Sequence, residues 1–118
     1  MSISLNLVVI RVSNLEKSVA FYQTLGLHFI KEKHGDGPEH YACELEQLVF
    51  EIYPSQKDSI DHTLRLGFQV DNIEMIMKKF SSSGDIVVSP PTVSQWGKRA
   101  VLRDPDGYKV ELLEKITE

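Results

Sequence analysis

Apolar and polar residues alternate from Leu5 to Val12, with Val8, Ile10 and Val12 pointing one way and Leu7, Val9 and Arg11 the other. That is the pattern of a strand with two different faces. Ser13-Asn14-Leu15-Glu16 then has the Ser-to-Glu spacing of a capping box, and Leu15, Val19, Tyr22 and Leu25 follow at helical spacing until Gly26. An amphipathic helix is therefore predicted, with Ser13 as its N-cap and Gly26 beyond its end. Leu27 to Lys33 reads as a strand and Gly35-Asp36-Gly37-Pro38 as a loop, followed by a hairpin of His40 to Cys43 with Leu48 to Tyr53, turning through Glu44 to Gln47.

The second half repeats this order. Leu64 to Val70 alternates, with Leu64, Leu66, Phe68 and Val70 on one face and Arg65, Gly67 and Gln69 on the other. Asp71-Asn72-Ile73-Glu74 again has capping-box spacing, and Ile73, Ile76, Met77 and Phe80 form a second helical stripe ending near Gly84. Ser81-Ser82-Ser83-Gly84 reads as a helix exit rather than a phosphate loop, because no Gly-rich strand-to-helix turn accompanies it. Ile86 to Val88 starts a strand that Pro90-Pro91 is expected to interrupt. Lys98 to Glu114 closes the unit as a hairpin around Asp104-Pro105-Asp106-Gly107.

Superposing the halves places Val70 on Val12, Gly84 on Gly26 and Glu111 on Glu51. A repeat on this scale implies an α+β fold of two tandem βαβββ modules, a curled mixed sheet with its helices outside. Residues 1–118 then form a single domain, with modules at about 3–55 and about 63–116 and a linker at about 56–62.

One helix covers one face of each sheet. Alternation leaves Leu7, Val9, Val49, Glu51, Tyr53, Arg65, Gln69, Glu111 and Leu113 on the other, lining a candidate cavity. With Cys43 opposite Leu48, His40 is expected across from Glu51, and Ala100 holds the matching place opposite Glu111. Trp96 stands just before the last hairpin, where an aromatic ring would cover a ligand at the cavity mouth.

The chain has 118 residues, 42% hydrophobic and 25% charged, with a formal charge of −4 and no clustered Lys or Arg. This composition suits a globular protein and gives no reason to expect nucleic acid or a membrane as partner. The N-terminus has an apolar run without a basic flank or small-residue cleavage site, so a first strand in a cytoplasmic protein is expected. Cys43 is the single cysteine and is compatible with a reducing compartment.

Three stretches, IRVSNLEKSVAFYQTLGL from Ile10, FQVDNIEMIMKKF from Phe68 and WGKRAVLRDPDGYKVELLE from Trp96, together resemble the vicinal oxygen chelate superfamily of glyoxalases, bleomycin-resistance proteins and extradiol dioxygenases. The resemblance implies four convergent positions, commonly two His and two Glu around one divalent ion. They fall on Leu7, Glu51, Arg65 and Glu111. Leu7 has no ligand atom and Arg65 is a permanent cation, so no metal and no other cofactor is expected there; Arg65 is expected to pair with the two glutamates instead.

The function expected on this basis is binding of a small organic molecule in the cavity between modules without the usual metal, by a homodimer. Two alternatives stand beside it. One is a glyoxalase-type lyase or isomerase with a displaced metal or a metal-free site, for which Glu111, Glu51 and His40 are the catalytic candidates. The other is a dimerisation module that binds no ligand. His28, His34 and His62 are expected to be solvated, with no cluster around them.

Overall fold

A computed structural model describes residues 2–80 and 84–115. The helix exit expected at Ser81 to Ser83 lies outside the described residues. The chain divides into two compact units, Met1–Ile60 and Asp61–Glu118.

In the first unit, β1 (Leu7–Val12) leads into α1 (Leu15–Leu25), then β2 (Ile30–Glu32), β3 (His40–Leu45) and β4 (Leu48–Pro54). The sheet order is β1-β4-β3-β2, with β1 parallel to β4 and the other neighbours antiparallel. The second unit has β5 (Arg65–Gln69), α2 (Ile73–Lys79), β6 (Val87–Ser94), β7 (Gly97–Arg103) and β8 (Lys109–Glu114). Its order, β5-β8-β7-β6, repeats that of the first. The duplication holds to the level of register: Val9 pairs with Glu51 in one unit as Gly67 pairs with Glu111 in the other.

Each helix starts one residue later than the capping boxes suggest. Asn14 and Asn72 are the N-caps, their side chains accepting from the Lys17 and Met75 backbone N–H groups. Asn is as good a cap as Ser or Asp, so spacing alone does not separate the two candidates. α1 ends at Gly26 with φ 117°, where its N–H donates back to Gln23 and Tyr22 carbonyls.

The cores follow the alternation. Ile10, Val12, Phe50 and Ile52 are buried beneath Val19 and Tyr22 of α1, and the Tyr22 and Phe50 rings meet edge to face at 5.2 Å. In the second unit Ala100, Leu102, Val110 and Leu112 are buried together with Ile73, Ile76 and Phe80.

Three expectations about strands are corrected. Pro90 and Pro91 do not stop β6, which runs from Val87 to Ser94 with irregular pairing between Ser89 and Thr92. As an edge strand it tolerates the missing N–H donors. The β3–β4 hairpin closes at Leu45 and Leu48, so Ala42, not His40, pairs with Glu51. That slip is even, and His40 keeps its face. In β7–β8 the slip is odd: Val101 pairs with Glu111 and Ala100 with Leu112. Ala100 consequently belongs to the core face and Arg99 to the face of Glu111.

The last turn is held by a buried carboxylate. Asp104 accepts from the backbone N–H groups of Asp106 at 3.0 Å and Tyr108 at 2.9 Å. Asp104→Ala is expected to lower unfolding free energy by about 2 kcal/mol, since two donors lose a charged acceptor in a buried setting. Urea unfolding checks this; an unchanged midpoint would show that the turn does not depend on the side chain.

Candidate functional site

On β8, Val110 and Leu112 point into the core, so Glu111 is turned to the opposite face. There, Arg65 Nη2 donates to Glu111 Oε1 at 3.4 Å, and Arg99 Nη2 donates to the same oxygen. β5 brings Arg65 and β7 brings Arg99, one from each strand flanking β8. The Arg99 hydrogen bond is the main cause that holds the Glu111 carboxyl below its ordinary pKa; partial burial opposes it, and the charges of Arg99 and Arg65 add to it.

Gly67, Phe68, Gln69, Glu111 and Leu113 line a shallow depression of about 190 Å³ beside this cluster. A larger open depression, about 570 Å³, is lined by residues including His62, Arg65, Arg103 and Lys109. Arg65 and Lys109 are register partners, as are Lys109 and Arg103, so three cations form a row across the sheet. His62 thus belongs to a charged neighbourhood that its linker position concealed. Trp96 stands exposed in the β6–β7 turn.

The first unit presents a different set. His40 is 1% exposed and stacks on Tyr53 at 4.0 Å, while the Arg11 guanidinium lies 4.7 Å from the Tyr53 ring centre. His40 Nδ1 lies 3.2 Å from the Pro38 carbonyl oxygen, and Nε2 lies 3.3 Å from the Tyr53 hydroxyl, 3.3 Å from Glu32 Oε1 and 3.9 Å from Glu51 Oε2. His34 joins them, with Nε2 3.6 Å from Glu32 Oε1. The expectation of no cluster at His34 is corrected, and Glu32 is a site residue that the sequence reasoning missed. Its signal was present: in a hairpin of β2 with β3, a residue of β2 must face His40.

Leu7, Val9 and Val49 share this face of the first unit, and Gln69 and Leu113 share that of Glu111 in the second. Leu7 is half-exposed and apolar, and Arg65 is committed to Glu111. The donor set carried over from the resemblance therefore does not fit a divalent ion: one position has no lone pair and another is a cation already bound to a ligand carboxylate.

A family model described as the Glyoxalase/Bleomycin resistance protein/Dioxygenase superfamily matches residues 4–112. The chain belongs to that superfamily. It is 29% identical over 119 residues to a probable lactoylglutathione lyase of Synechocystis sp., a match covering 90% of this chain and 91% of that protein. Lactoylglutathione lyase of Salmonella typhimurium is 30% identical over 121 residues, covering 90% and 88%. Among solved structures, an antibiotic binding protein from a Streptomyces species has a TM-score of 0.78 at 23% identity, covering 98% of this chain and 99% of that one. A glyoxalase family protein from Enterococcus faecalis has a TM-score of 0.68 at 27% identity, covering 94% and 97%.

A pH dependence follows from the Glu111 cluster. With its folded pKa below the unfolded one, Glu111 contributes stability above the ordinary carboxylate range, and that contribution is lost as pH falls through the folded pKa. Arg99→Ala is expected to raise the Glu111 pKa and to weaken the acid-side decline in stability. Carboxyl-carbon NMR titration reads the first effect and denaturant unfolding at several pH values the second; an unmoved Glu111 titration would remove Arg99 from the account.

Proposed function

We propose that this chain binds a small organic molecule against its open sheet faces, without a divalent ion at the superfamily's ligand position. The observation that carries this reading is the capture of Glu111 by Arg65 and Arg99. An ion at Glu111 would have to displace two guanidinium groups and then sit beside their charge. The row of Arg65, Lys109 and Arg103 around an open depression suits a ligand with an acidic group, because guanidinium forks match carboxylate and phosphate oxygens.

Homodimerisation in the cytoplasm belongs to the same reading. Leu7 and Val9 leave apolar surface exposed along β1, with Leu5 exposed just before it, which a second copy would cover. Among the described residues, no helix is long and apolar enough to cross a membrane.

Relatives of this chain are called lactoylglutathione lyases. With Leu7 and Arg65 in place of ligands, the chain is expected to form no S-lactoylglutathione from the hemithioacetal of methylglyoxal and glutathione beyond the uncatalysed rate. Ligand binding is tested by NMR titration with a panel of small aromatic and aliphatic acids. Shifts should gather around Arg65, Lys109 and Arg103, and Arg65→Ala should weaken binding roughly tenfold, the scale of one charged hydrogen bond. Metal-dependent lyase turnover abolished by Glu111→Gln would overturn the reading.

A further inference from the structure

The open face of the first unit holds a cluster that the Glu111 site leaves unused. Register places Arg11 of β1 beside Tyr53 of β4, and Glu32 of β2 beside His40 of β3, so Arg11, Tyr53, His40 and Glu32 form one row across the sheet, with Tyr53 and His40 stacked at its centre. His34 follows just past the end of β2 and leans toward His40, with ring centres 5.2 Å apart. One ligand atom from each of Glu32, His34 and His40 lies within 4.8 Å of the other two.

We propose that Glu32, His34 and His40 form a binding site for a first-row divalent transition-metal ion, with Glu51 the next oxygen donor. The site shares Glu51 with the superfamily position, but its three nearest donors lie outside that set, and it does not rest on the ligand-binding reading above.

Three observations support it. The first is the His40 tautomer. The Pro38 carbonyl can only accept, so Nδ1 carries a hydrogen there and Nε2 is the nitrogen left to ligate an ion. Nε2 lies beside two carboxylates, 3.3 Å from Glu32 Oε1 and 3.9 Å from Glu51 Oε2, with the Tyr53 hydroxyl 3.3 Å away. A backbone carbonyl on the remote imidazole nitrogen is the arrangement that orients metal-ligating histidines. A bound ion would take the Nε2 lone pair in place of a proton.

The second is spacing. Metal–ligand bonds near 2.0–2.2 Å place tetrahedral ligand atoms about 3.4 Å apart. His40 Nε2 and His34 Nε2 lie 3.3 and 3.6 Å from Glu32 Oε1. Only the two imidazoles must approach each other, and His34 is an exposed loop residue with freedom to do so.

The third is charge. Glu32, Glu44 and Glu51 all line the adjoining open depression of about 540 Å³, whose described lining has no Lys or Arg. Such a face attracts a cation. Arg11 is the cation of the row, and Tyr53 stands between it and His40. Mixed imidazole and carboxylate donors select zinc, nickel, cobalt or iron(II) over calcium and magnesium.

The test is calorimetric titration of the full chain with Zn²⁺, with Co²⁺ absorption as a second readout of imidazole ligation. One ion per chain is expected. His34→Ala and Glu32→Gln, both at exposed or half-exposed positions, should each weaken binding at least about tenfold, the loss produced even by removing groups one step behind a ligand. Circular dichroism confirms that these variants fold, which makes the outcome independent of the buried and more disruptive His40→Ala. Insensitivity to both variants, or absence of stoichiometric binding, overturns the proposal. Loss of binding with Glu111→Gln instead would place the ion at the superfamily position and overturn the ligand-binding reading as well, so the two failures are told apart.

Discussion

Glu111 is a charge placed in the middle of a strand whose neighbours on either side are fully buried. Backbone alternation forces its carboxylate onto the face away from the helix, and there it must be solvated, bound to a cation or paired. Here two guanidinium groups from the flanking strands take that role. The pairing depends on both β5 and β7 holding register against β8, and so on the packing of Val110 and Leu112 in the core. Once Arg65 and Arg99 are seated, the Glu111 carboxylate is engaged by guanidinium donors from both flanking strands.

The duplicated units use one geometry for two ends. Val101 stands opposite Glu111 as Ala42 stands opposite Glu51, so Arg99 and His40 occupy equivalent places beside their respective glutamates. An imidazole can offer a ligand lone pair from Nε2; a guanidinium has none. The next strand extends the contrast, since His40 pairs with Glu32 while Arg99 pairs with Thr92. Exchanges at equivalent positions, His40 for Arg99 and Glu32 for Thr92, thus leave one face acidic and imidazole-bearing and contribute to a basic character in the other.

The architecture was legible in the sequence because alternation, helical stripes and a duplicated order of elements all agree on it. The site was half legible. Face assignment placed Glu51, Glu111, Arg65, Tyr53 and His40 correctly, since strand parity needs only one anchored residue. Arg99 was lost to a slip of one residue across the Asp104–Gly107 turn, where Asp104 pairs its own backbone with Tyr108 and displaces the register. Glu32 and His34 were lost for another reason: β2 is three residues long, shorter than the run its apolar content suggests, and its partner is fixed by tertiary pairing. The Asn caps illustrate the same limit, because local spacing allowed two starts and the packed helix selected one.

The most direct test of the account is an NMR titration of the full chain with paramagnetic Co²⁺, following the side-chain resonances of both units together. The strongest perturbation centred on Glu32, His34, His40 and Glu51, with the Arg65 and Arg99 pairing to Glu111 intact, is the predicted result. Perturbation centred on Glu111, with release of Arg65, would contradict the claim that paired guanidinium groups have taken the place of the ion.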